Sequence, residues 1–538
     1  MPSSTSRPLT RSRAVLLAVL ALLALAVMLR VAPAARADQT QRSVMMDDNL
    51  LVYSANPTRE ATLASMKSLG VTAVRATLLW SVVAHGTKNP ATHHRFNPAN
   101  PADYPKGAWT NYDQLVVDAQ AVGIQVYFDV TGPGPSWAMG KTSDPTEKPS
   151  YMPNIGQFGK FVEAVGTRYS GKYHGLPKVS LWSIWNEPNQ VGWLSPQGVY
   201  NSQLHEVLPY SPILYRELWY AARGALNRTG HKHDTVLAGE TAPLGSPPQN
   251  GRTPMRPALF IREFFCVNSH LKPLTGLQAS VRGCGIFKRY GPIKASGWAH
   301  HPYTKAQAPT WKDKSPDSIV IANISALPKL LDGIAKNTHR VASRLPVWIT
   351  EMGYETKPPD PYRGVSPADQ AAYINETDWM AYRQPRVAAV TQFLFQDTGP
   401  NTHYKKTARG YWDTYQSGLE YGPGSGYPIG THKQAYNAYA MPIWISTTGP
   451  ASNPELELWS QVRFTASSVP TTDEVFFQFA PKGSSTWTTV TPAETPNSAG
   501  FVNVDVPENA YGVPGTWRAV WIGGPGIYFV SRDDSYSS

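Results

Sequence analysis

Short apolar runs alternate with amphipathic stretches eight times between residues 42 and 440, and this alternation limits the fold more than any other feature. The apolar runs have the length of strands and are rich in β-branched and aromatic residues. The stretches between them repeat apolar residues at helical spacing. Eight strand–helix units in succession predict a closed (β/α)8 barrel. The alternative is an open doubly wound sheet, but the sequence lacks the glycine-rich first turn expected of one that binds phosphate.

The eight predicted strands are residues 42–53, 71–80, 124–130, 179–185, 235–240, 295–300, 345–350 and 387–395. Helical periodicity ends near Pro442, and short alternating runs separated by Pro, Gly and Ser follow it. This pattern predicts a second domain over residues 443–538, a small antiparallel β-sandwich of immunoglobulin size. It either braces the barrel or binds carbohydrate through exposed aromatic side chains, and we favour the brace. The barrel itself is expected over residues 38–442.

Residues 1–37 have the pattern of a signal peptide. Three arginines precede an apolar run from Ala14 to Met28, and Ala35-Arg36-Ala37 is a cleavage sequence of the A-x-A type. Because the run is short for a membrane span, we expect a secreted chain that begins at Asp38. A retained membrane anchor is the alternative, and mass spectrometry of the exported protein distinguishes the two.

Composition narrows the range of partners. The 538-residue chain has a net charge of +11 that is spread along the sequence, and no basic stripe or nucleic-acid motif is visible. Aromatic residues are abundant, with 17 Trp and 27 Tyr, which fits a protein that stacks sugar rings. In an exported chain Cys266 and Cys284 are expected to form one disulfide, since their spacing fits no metal or redox motif. We expect a monomer with a carbohydrate substrate and without a nucleic-acid partner.

Two glutamates follow core strands at corresponding positions. The apolar run Val179–Trp185 leads to Glu187, and Pro188 then ends the strand. The second run leads from Val347 to Glu351, and Gly353 releases the chain. Because catalytic groups of barrels lie at the carboxyl ends of the strands, both glutamates are expected at the same mouth.

Two facing carboxyl groups are what hydrolysis of a glycosidic bond with retention requires. Glu187 is predicted to be the general acid/base, and Glu351 is predicted to be the nucleophile. Asn186 is placed to bind the 2-hydroxyl of the sugar. The remaining predicted contacts of the site are Arg75 beside a carboxylate, Tyr303 donating to Glu351, and His301 in the same network.

These motifs resemble those of clan A glycoside hydrolases, the barrel enzymes that include family 5 cellulases and families 39 and 53. The resemblance is carried by Trp185-Asn186-Glu187-Pro188-Asn189 on strand four and by Trp348-Ile349-Thr350-Glu351-Met352-Gly353 on strand seven. Val74-Arg75 and His301-Pro302-Tyr303 resemble family 5 positions. The resemblance covers about residues 42–442 and implies a retaining hydrolase that needs no metal or organic cofactor.

Two strand ends depart from the family 5 pattern. Asp129-Val130-Thr131 stands where a histidine is usual, and Phe395-Gln396-Asp397 stands where a tryptophan is usual. Two or three of the tryptophans near strand ends are expected to be sugar platforms: Trp80, Trp137, Trp193, Trp298 and Trp412. Trp137, Trp298 and Asp397 are therefore predicted to contact substrate.

The sequence predicts a secreted retaining glycosidase that acts on a polysaccharide or oligosaccharide. Two alternatives stay open. One is a membrane-tethered enzyme that remodels walls by transferring glycosyl groups to sugar hydroxyls. The other is a silent barrel that only binds carbohydrate, and the presence of both glutamates argues against it.

Overall fold

The computed structural model describes residues 40–464 and 473–536. Eight parallel strands close into a barrel, because β1 pairs with both β2 and β8. The strands are β1 Arg42–Met46, β2 Ala73–Leu79, β3 Gln125–Thr131, β4 Leu181–Ile184, β5 Thr235–Thr241, β6 Gly297–His300, β7 Val347–Met352 and β8 Val387–Phe393. The prediction of a (β/α)8 barrel is confirmed.

Helices cover the outside of the barrel. The eight longer ones are α1 Asn56–Ser68, α2 Thr110–Ala121, α3 Ile155–Arg168, α4 Ser211–Arg228, α5 Pro257–Phe264, α6 Ala326–Thr338, α7 Pro367–Tyr382 and α8 Gln434–Ala440. Short helices span Asp48–Leu51, Trp80–Val83, Gly276–Val281 and Ile286–Tyr290, and a small hairpin pairs Gly198–Asn201 with Glu206–Pro209. The largest apolar cluster lies between the strands and this helical layer.

One apolar layer closes the lower part of the barrel interior. Each of the eight strands contributes one buried side chain to it: Val44, Ala73, Tyr127, Leu181, Leu237, Ala299, Trp348 and Ala389. Side chains along a strand alternate between the two faces of the sheet, so the residues two positions further along also point inward. Several of those residues are polar, and a charged layer therefore lies above the apolar one towards the carboxyl ends of the strands.

The first and last strands are shorter than predicted. β1 ends at Met46, and residues 48–51 form a helical turn. Asp47 caps this turn, since its Oδ1 accepts a hydrogen bond from Leu50 N at 3.1 Å. Its Oδ2 accepts one from Gln396 N at 3.0 Å, which ties the end of β1 to the segment after β8. β8 ends at Phe393, two residues before the predicted end.

Cys266 and Cys284 form a disulfide, as predicted. It closes a segment that contains the short helix Gly276–Val281 and precedes β6. The segment therefore belongs to the end of the barrel that carries the amino ends of the strands.

The C-terminal residues form two antiparallel sheets. The first contains β9 Ile443–Thr448, β10 Glu455–Gln461 and β13 Phe501–Pro507. The second contains β11 Glu474–Pro481, β12 Thr488–Thr489, β14 Gly515–Gly524, β15 Ile527–Val530 and β16 Asp534–Tyr536. One apolar cluster includes side chains of both sheets, among them Leu458 and Trp517. The antiparallel sheets are confirmed, and the immunoglobulin-like sandwich stays a prediction.

Polar contacts join these sheets to the barrel. Arg463 Nη1 lies 3.0 Å from Asp378 Oδ2 of α7, and both side chains are buried. Glu457 of β10 accepts hydrogen bonds from Arg383 Nη1 and Trp379 Nε1, each at 3.0 Å. These contacts hold the first C-terminal sheet against α7 and the residue that follows it.

The predicted signal peptide, residues 1–37, lies outside the described residues. Within residues 40–464 and 473–536, no helix has both the length and the apolar character that crossing a membrane requires.

Candidate active site

Glu187 lies just beyond the end of β4, at the mouth of the barrel. β4 ends at Ile184, and the backbone then has left-handed conformations at Trp185 (φ 69°) and Glu187 (φ 34°). Non-glycine residues seldom adopt them, and those that do are concentrated at functional sites. Trp185 anchors this turn, because its Nε1 donates to Trp193 O at 3.0 Å and its ring packs on Phe158. The turn leaves the side chain of Glu187 20% exposed.

Glu351 lies near the end of β7 and is more enclosed, with a side chain that is 10% exposed. Its Oε1 accepts a hydrogen bond from Arg75 Nη1 at 2.9 Å, and its Oε2 accepts one from the Tyr303 hydroxyl at 3.0 Å. Burial raises the pKa of Glu351, while His301 and Arg75 oppose that shift. Because both oxygens accept hydrogen bonds, we assign the ionised form.

The two glutamates face each other. One oxygen of Glu187, one oxygen of Glu351 and one ring nitrogen of His301 all lie within 4.8 Å of one another. The structure therefore brings together two carboxyl groups that are 164 residues apart in the chain.

Arg75, on β2, is the centre of the charged layer. Its Nη2 lies 2.9 Å from Asn186 Oδ1, 3.1 Å from Asp129 Oδ2 and 3.2 Å from Glu240 Oε2. Burial disfavours the guanidinium, but the carboxylates of Glu240, Glu351 and Asp129 outweigh burial and raise the pKa of Arg75 further. One fixed cation thus connects β2 to residues on or just after β3, β4, β5 and β7.

His301 follows β6 and bridges two carboxylates. Its Nδ1 lies 2.9 Å from Glu187 Oε1, and its Nε2 lies 2.7 Å from Glu240 Oε2. Burial disfavours the charged ring, but Glu351, Glu187 and Glu240 outweigh burial and raise the pKa of His301 to about 10. Since both ring nitrogens face carboxylates, each donates a proton, and the ring is an imidazolium at neutral pH.

Glu240, at the end of β5, is a site residue that sequence reasoning missed. It is fully buried and has a left-handed backbone conformation (φ 49°). Its Oε2 accepts a hydrogen bond from Thr350 Oγ1 at 2.7 Å, and its Oε1 accepts one from the Tyr127 hydroxyl. Burial is outweighed by Arg75 and His301, which lower the pKa of Glu240. One sequence signal could have identified it: Glu240 is the last residue of a predicted strand, where a catalytic glutamate of a barrel is expected.

Asp129 of β3 is a second missed residue. It is fully buried, and its Oδ1 accepts a hydrogen bond from Ser183 Oγ at 3.2 Å. Burial raises the pKa of Asp129 to about 8 in spite of the nearby Arg75. Its Oδ2 belongs to the same ion-pair network, 3.1 Å from Arg75 Nη2.

Asn186 lies where the sequence predicted it, beside Glu187. Its backbone N–H donates to Thr131 Oγ1 at 2.9 Å, and its Oδ1 is held by Arg75. No hydrogen bond within the described ranges uses its Nδ2. That amide is thus oriented by its neighbours and free to donate to a sugar hydroxyl.

Trp298 does not reach the mouth, so its predicted role as a sugar platform is corrected. The ring is fully buried and contacts Phe264 and Phe265 outside the barrel. The reason is strand alternation. Its neighbour Ala299 points into the barrel interior, so Trp298 points to the helical layer.

Asp397 and Trp137 have described partners other than the two glutamates. Asp397 is buried in an ion pair with Lys433 Nζ at 2.6 Å, and β8 ends four residues before it, at Phe393. Trp137 is half-buried, and its Nε1 donates to Thr87 Oγ1 at 3.1 Å. No described ring contact or hydrogen bond joins Trp137 to Glu187 or Glu351. Its role in substrate binding stays a prediction.

Two other aromatic residues line the mouth. The Phe393 ring lies 6.2 Å from the Tyr303 ring and 5.1 Å from the Tyr415 ring, in edge-on contacts. Tyr415 is 55% exposed, and Glu351 and Glu187 both contribute to raising its pKa to about 12, after the larger effect of burial. These rings form a wall that runs from Glu351 to the surface.

Glu187, His301 and Glu351 have the spacing of a three-ligand metal site. Their hydrogen bonds do not fit one. A metal needs the lone pair of a neutral imidazole, whereas His301 faces carboxylates at both nitrogens, and Arg75 lies 2.9 Å from Glu351. Two cations already occupy the positions next to the carboxylates, so a third is disfavoured.

No protein-family model matches the sequence, and no curated protein matches it. Solved structures do resemble the fold. The GH5_18 enzyme of Streptomyces cattleya in complex with GlcNAc is 15% identical, with a TM-score of 0.44 over 75% of this chain and 79% of that chain. The family 1 β-glucosidase of Thermotoga maritima is 12% identical, with a TM-score of 0.43 over 71% and 85%.

A third similar structure is the exo-β-1,4-mannosidase Op5Man5 of Opitutaceae bacterium strain TAV5. It is 12% identical, with a TM-score of 0.41 over 76% of this chain and 61% of that chain. All three neighbours are described as glycoside hydrolases, and at 12–15% identity and TM-scores of 0.41–0.44 the similarity to them is one of fold.

Proposed function

We propose that this chain is a retaining glycoside hydrolase. The observation that carries the proposal is the separation of Glu187 and Glu351, whose nearest ligand oxygens lie no more than 4.8 Å apart. Retaining enzymes have carboxyl groups about 5–5.5 Å apart, whereas inverting enzymes need about 6.5–9.5 Å to admit a water molecule. Their hydrogen bonds differ: both oxygens of Glu351 accept one, whereas within the described residues only Oε1 of Glu187 does, which leaves its other oxygen available to carry the transferred proton.

In the first step Glu351 attacks the anomeric carbon of the sugar. Glu187 donates a proton to the glycosidic oxygen, the bond from that oxygen to the anomeric carbon breaks, and the first alcohol leaves. The sugar is then bound to Glu351 as an ester. Arg75 and Tyr303 fix the orientation of the attacking carboxylate through its two oxygens.

In the second step Glu187 acts as a base. It removes a proton from water, the water oxygen bonds to the anomeric carbon, and Glu351 is released as a carboxylate. Asn186 Nδ2 is placed to donate to the 2-hydroxyl of the sugar, a contact that strengthens in the transition state. Two inversions give net retention of configuration.

Replacing the two glutamates tests the proposal. Glu351→Ala is expected to lower kcat on the order of 10⁴-fold, and sodium azide is expected to restore turnover by forming a glycosyl azide of inverted configuration. Glu187→Ala is expected to retain turnover only on substrates with good leaving groups, such as dinitrophenyl glycosides. Rates on these substrates and NMR of the products are the measurements.

Glu163→Ala serves as the control. Glu163 lies on α3, far from the mouth, and its partly exposed side chain forms an ion pair with Arg228. The control variant should leave kcat unchanged. Hydrolysis of a natural substrate by Glu351→Ala at a near wild-type rate would contradict the proposal. A hydrolysis screen of the wild-type protein over arabinan, galactan, xylan, mannan and glucan identifies the natural substrate for this assay.

The proposal extends to the parts of the chain that flank the barrel. We infer that residues 1–37 direct export, that the chain acts as a monomer, and that the C-terminal sheets form a sandwich that braces the barrel. The shared cluster around Leu458 and Trp517 supports the sandwich.

A further inference from the structure

A surface groove of about 630 Å³ lies on the other end of the barrel from the two glutamates. Helices Gly276–Val281 and Ile286–Tyr290 form one wall, and residues 338–340, at the end of α6, form the other. The walls meet where Ile293 N donates to Arg340 O at 2.8 Å, just before β6 and β7 begin. Its volume is within the range of sites for small organic molecules.

The groove has a positive lining. Lys288, His339 and Arg340 line it, and none of the described residues that line it is acidic. Lys288 and His339 are exposed. Neither has a carboxylate within ion-pair distance in the described part of the chain. The uncompensated charge favours an anion over a cation or a neutral ligand.

Arg340 is held in position as part of the wall. Its Nη1 donates to Phe265 O at 2.7 Å and to Cys266 O at 2.8 Å, and its guanidinium lies 4.7 Å from the Phe287 ring centre. Cys266 is in turn bonded to Cys284, another lining residue. A planar donor group anchored on one side is suited to bind carboxylate or phosphate oxygens with its remaining N–H groups.

The rest of the lining is suited to an organic ligand. Leu274, Ala279 and Pro292 supply apolar surface, and Thr275 and Ser280 supply hydroxyl groups. A bare inorganic anion uses only the charge, whereas a sugar that carries an acidic group also contacts apolar surface through its C–H groups and hydrogen-bonds through its hydroxyls.

We propose that this groove is an accessory binding site for an anionic sugar, that is, a sugar unit bearing a phosphate or carboxylate. The acidic group lies between Lys288, His339 and Arg340, and the ring lies on the apolar wall. The site is independent of the two glutamates, since it lies at the amino ends of the strands.

Isothermal titration of the full chain with glucose 6-phosphate, galacturonate, inorganic phosphate and glucose tests this proposal. At least one of the two anionic sugars is expected to bind with a millimolar or lower Kd and more tightly than inorganic phosphate, and glucose is expected not to bind. The two probes distinguish a phosphate-selective from a carboxylate-selective site.

Lys288→Glu combined with His339→Asn is expected to weaken binding at least tenfold. Asn suits position 339 because its φ is 54°.

Lys160→Glu combined with His205→Asn is the matched control. Both residues are exposed and lie elsewhere on the chain, and His205 also has a φ of 54°. This double variant changes the net charge by the same amount as the test variant, and it also places Asn at a left-handed backbone position. It should leave binding unchanged. The proposal is overturned if neither anionic sugar binds, if the control weakens binding as much, or if inorganic phosphate binds as tightly as both sugars.

Discussion

His301 links the charged side chains of the candidate site. It joins the proposed acid/base Glu187 to the buried Glu240, and Arg75 joins Glu240 to the proposed nucleophile Glu351. Glu240 has no exposed surface. We therefore assign it as a positioning residue, which holds two cations in place between the two reacting carboxylates.

The pKa of His301 gives the site a defined pH dependence. An unfolded histidine has a pKa near 6.5, and that of His301 is raised to about 10. Its imidazolium therefore contributes stability in full below about pH 6.5, and this contribution is lost as the pH rises towards 10.

Glu240→Gln is expected to lower the pKa of His301, because one of the carboxylates that stabilise the imidazolium is removed. The stability contribution of His301 should then be smaller and be lost completely at a lower pH, although its decline still begins near pH 6.5. The kcat should fall about 10–100-fold as Arg75 and His301 lose their support. Nitrogen NMR of His301 and unfolding temperatures across pH 5–10 are the measurements. Glu457→Gln removes a buried carboxylate far from His301. An equal shift of the His301 pKa in that control would contradict the assignment.

At the scale of elements, the loop after β3 sets the position of the turn after β4. A Cβ atom at Gly132 would lie 2.4 Å from the Trp185 ring, and one at Gly134 would lie 2.6 Å from the Trp80 ring. The loop can therefore approach these rings only because both positions are glycine. Trp185 in turn precedes Asn186 and Glu187, so this packing reaches the candidate site.

Gly132→Ala is expected to push the Trp185 ring and the following turn out of position. Overpacking of this kind costs about 1–3 kcal/mol of stability, and a displaced Glu187 should lower kcat roughly tenfold or more. Chemical denaturation and rates on an aryl glycoside measure the two effects. Gly192→Ala, in the loop after Glu187, is the control, since a Cβ there meets no atom within 4 Å. Equal effects of both variants would refute the packing argument.

Element boundaries show where sequence patterns stop being informative. The pattern predicted all eight strands, since alternation and chain-breaking residues are local signals. It extended β8 to residue 395, because Phe393, Leu394 and Phe395 form one apolar run. The structure ends β8 at Phe393, and the aromatic residue at the mouth is consequently Phe393.

For the whole molecule, the interface between the barrel and the C-terminal sheets contains a buried ion pair. Arg463 also lies over the Tyr439 ring at 4.3 Å and donates to Tyr439 O at 3.2 Å. A Cβ at Gly70 would overlap Arg463 O at 1.6 Å, so the two parts are in tight contact. We infer that the barrel and the sheets unfold together.

Asp378→Asn is expected to destabilise the chain by about 3–5 kcal/mol, because it leaves the buried guanidinium of Arg463 without a carboxylate. Arg228→Gln breaks the more exposed Arg228–Glu163 pair and should cost less than about 1 kcal/mol. Urea unfolding followed by tryptophan fluorescence compares them. A cost for Asp378→Asn no larger than that of the control would show that the ion pair does not brace the barrel.

The sequence by itself determined the succession of strands and helices and the placement of Glu187 and Glu351 at strand ends, because each follows from a local pattern of apolar residues and chain breakers. Only the tertiary structure decided which charges meet. Arg75 reaches Glu240 and Glu351 because the barrel closes and directs alternate side chains of several strands to one axis. The same alternation turns Trp298 outward. Such contacts depend on the register between strands that are distant in the chain, and no local sequence pattern specifies that register.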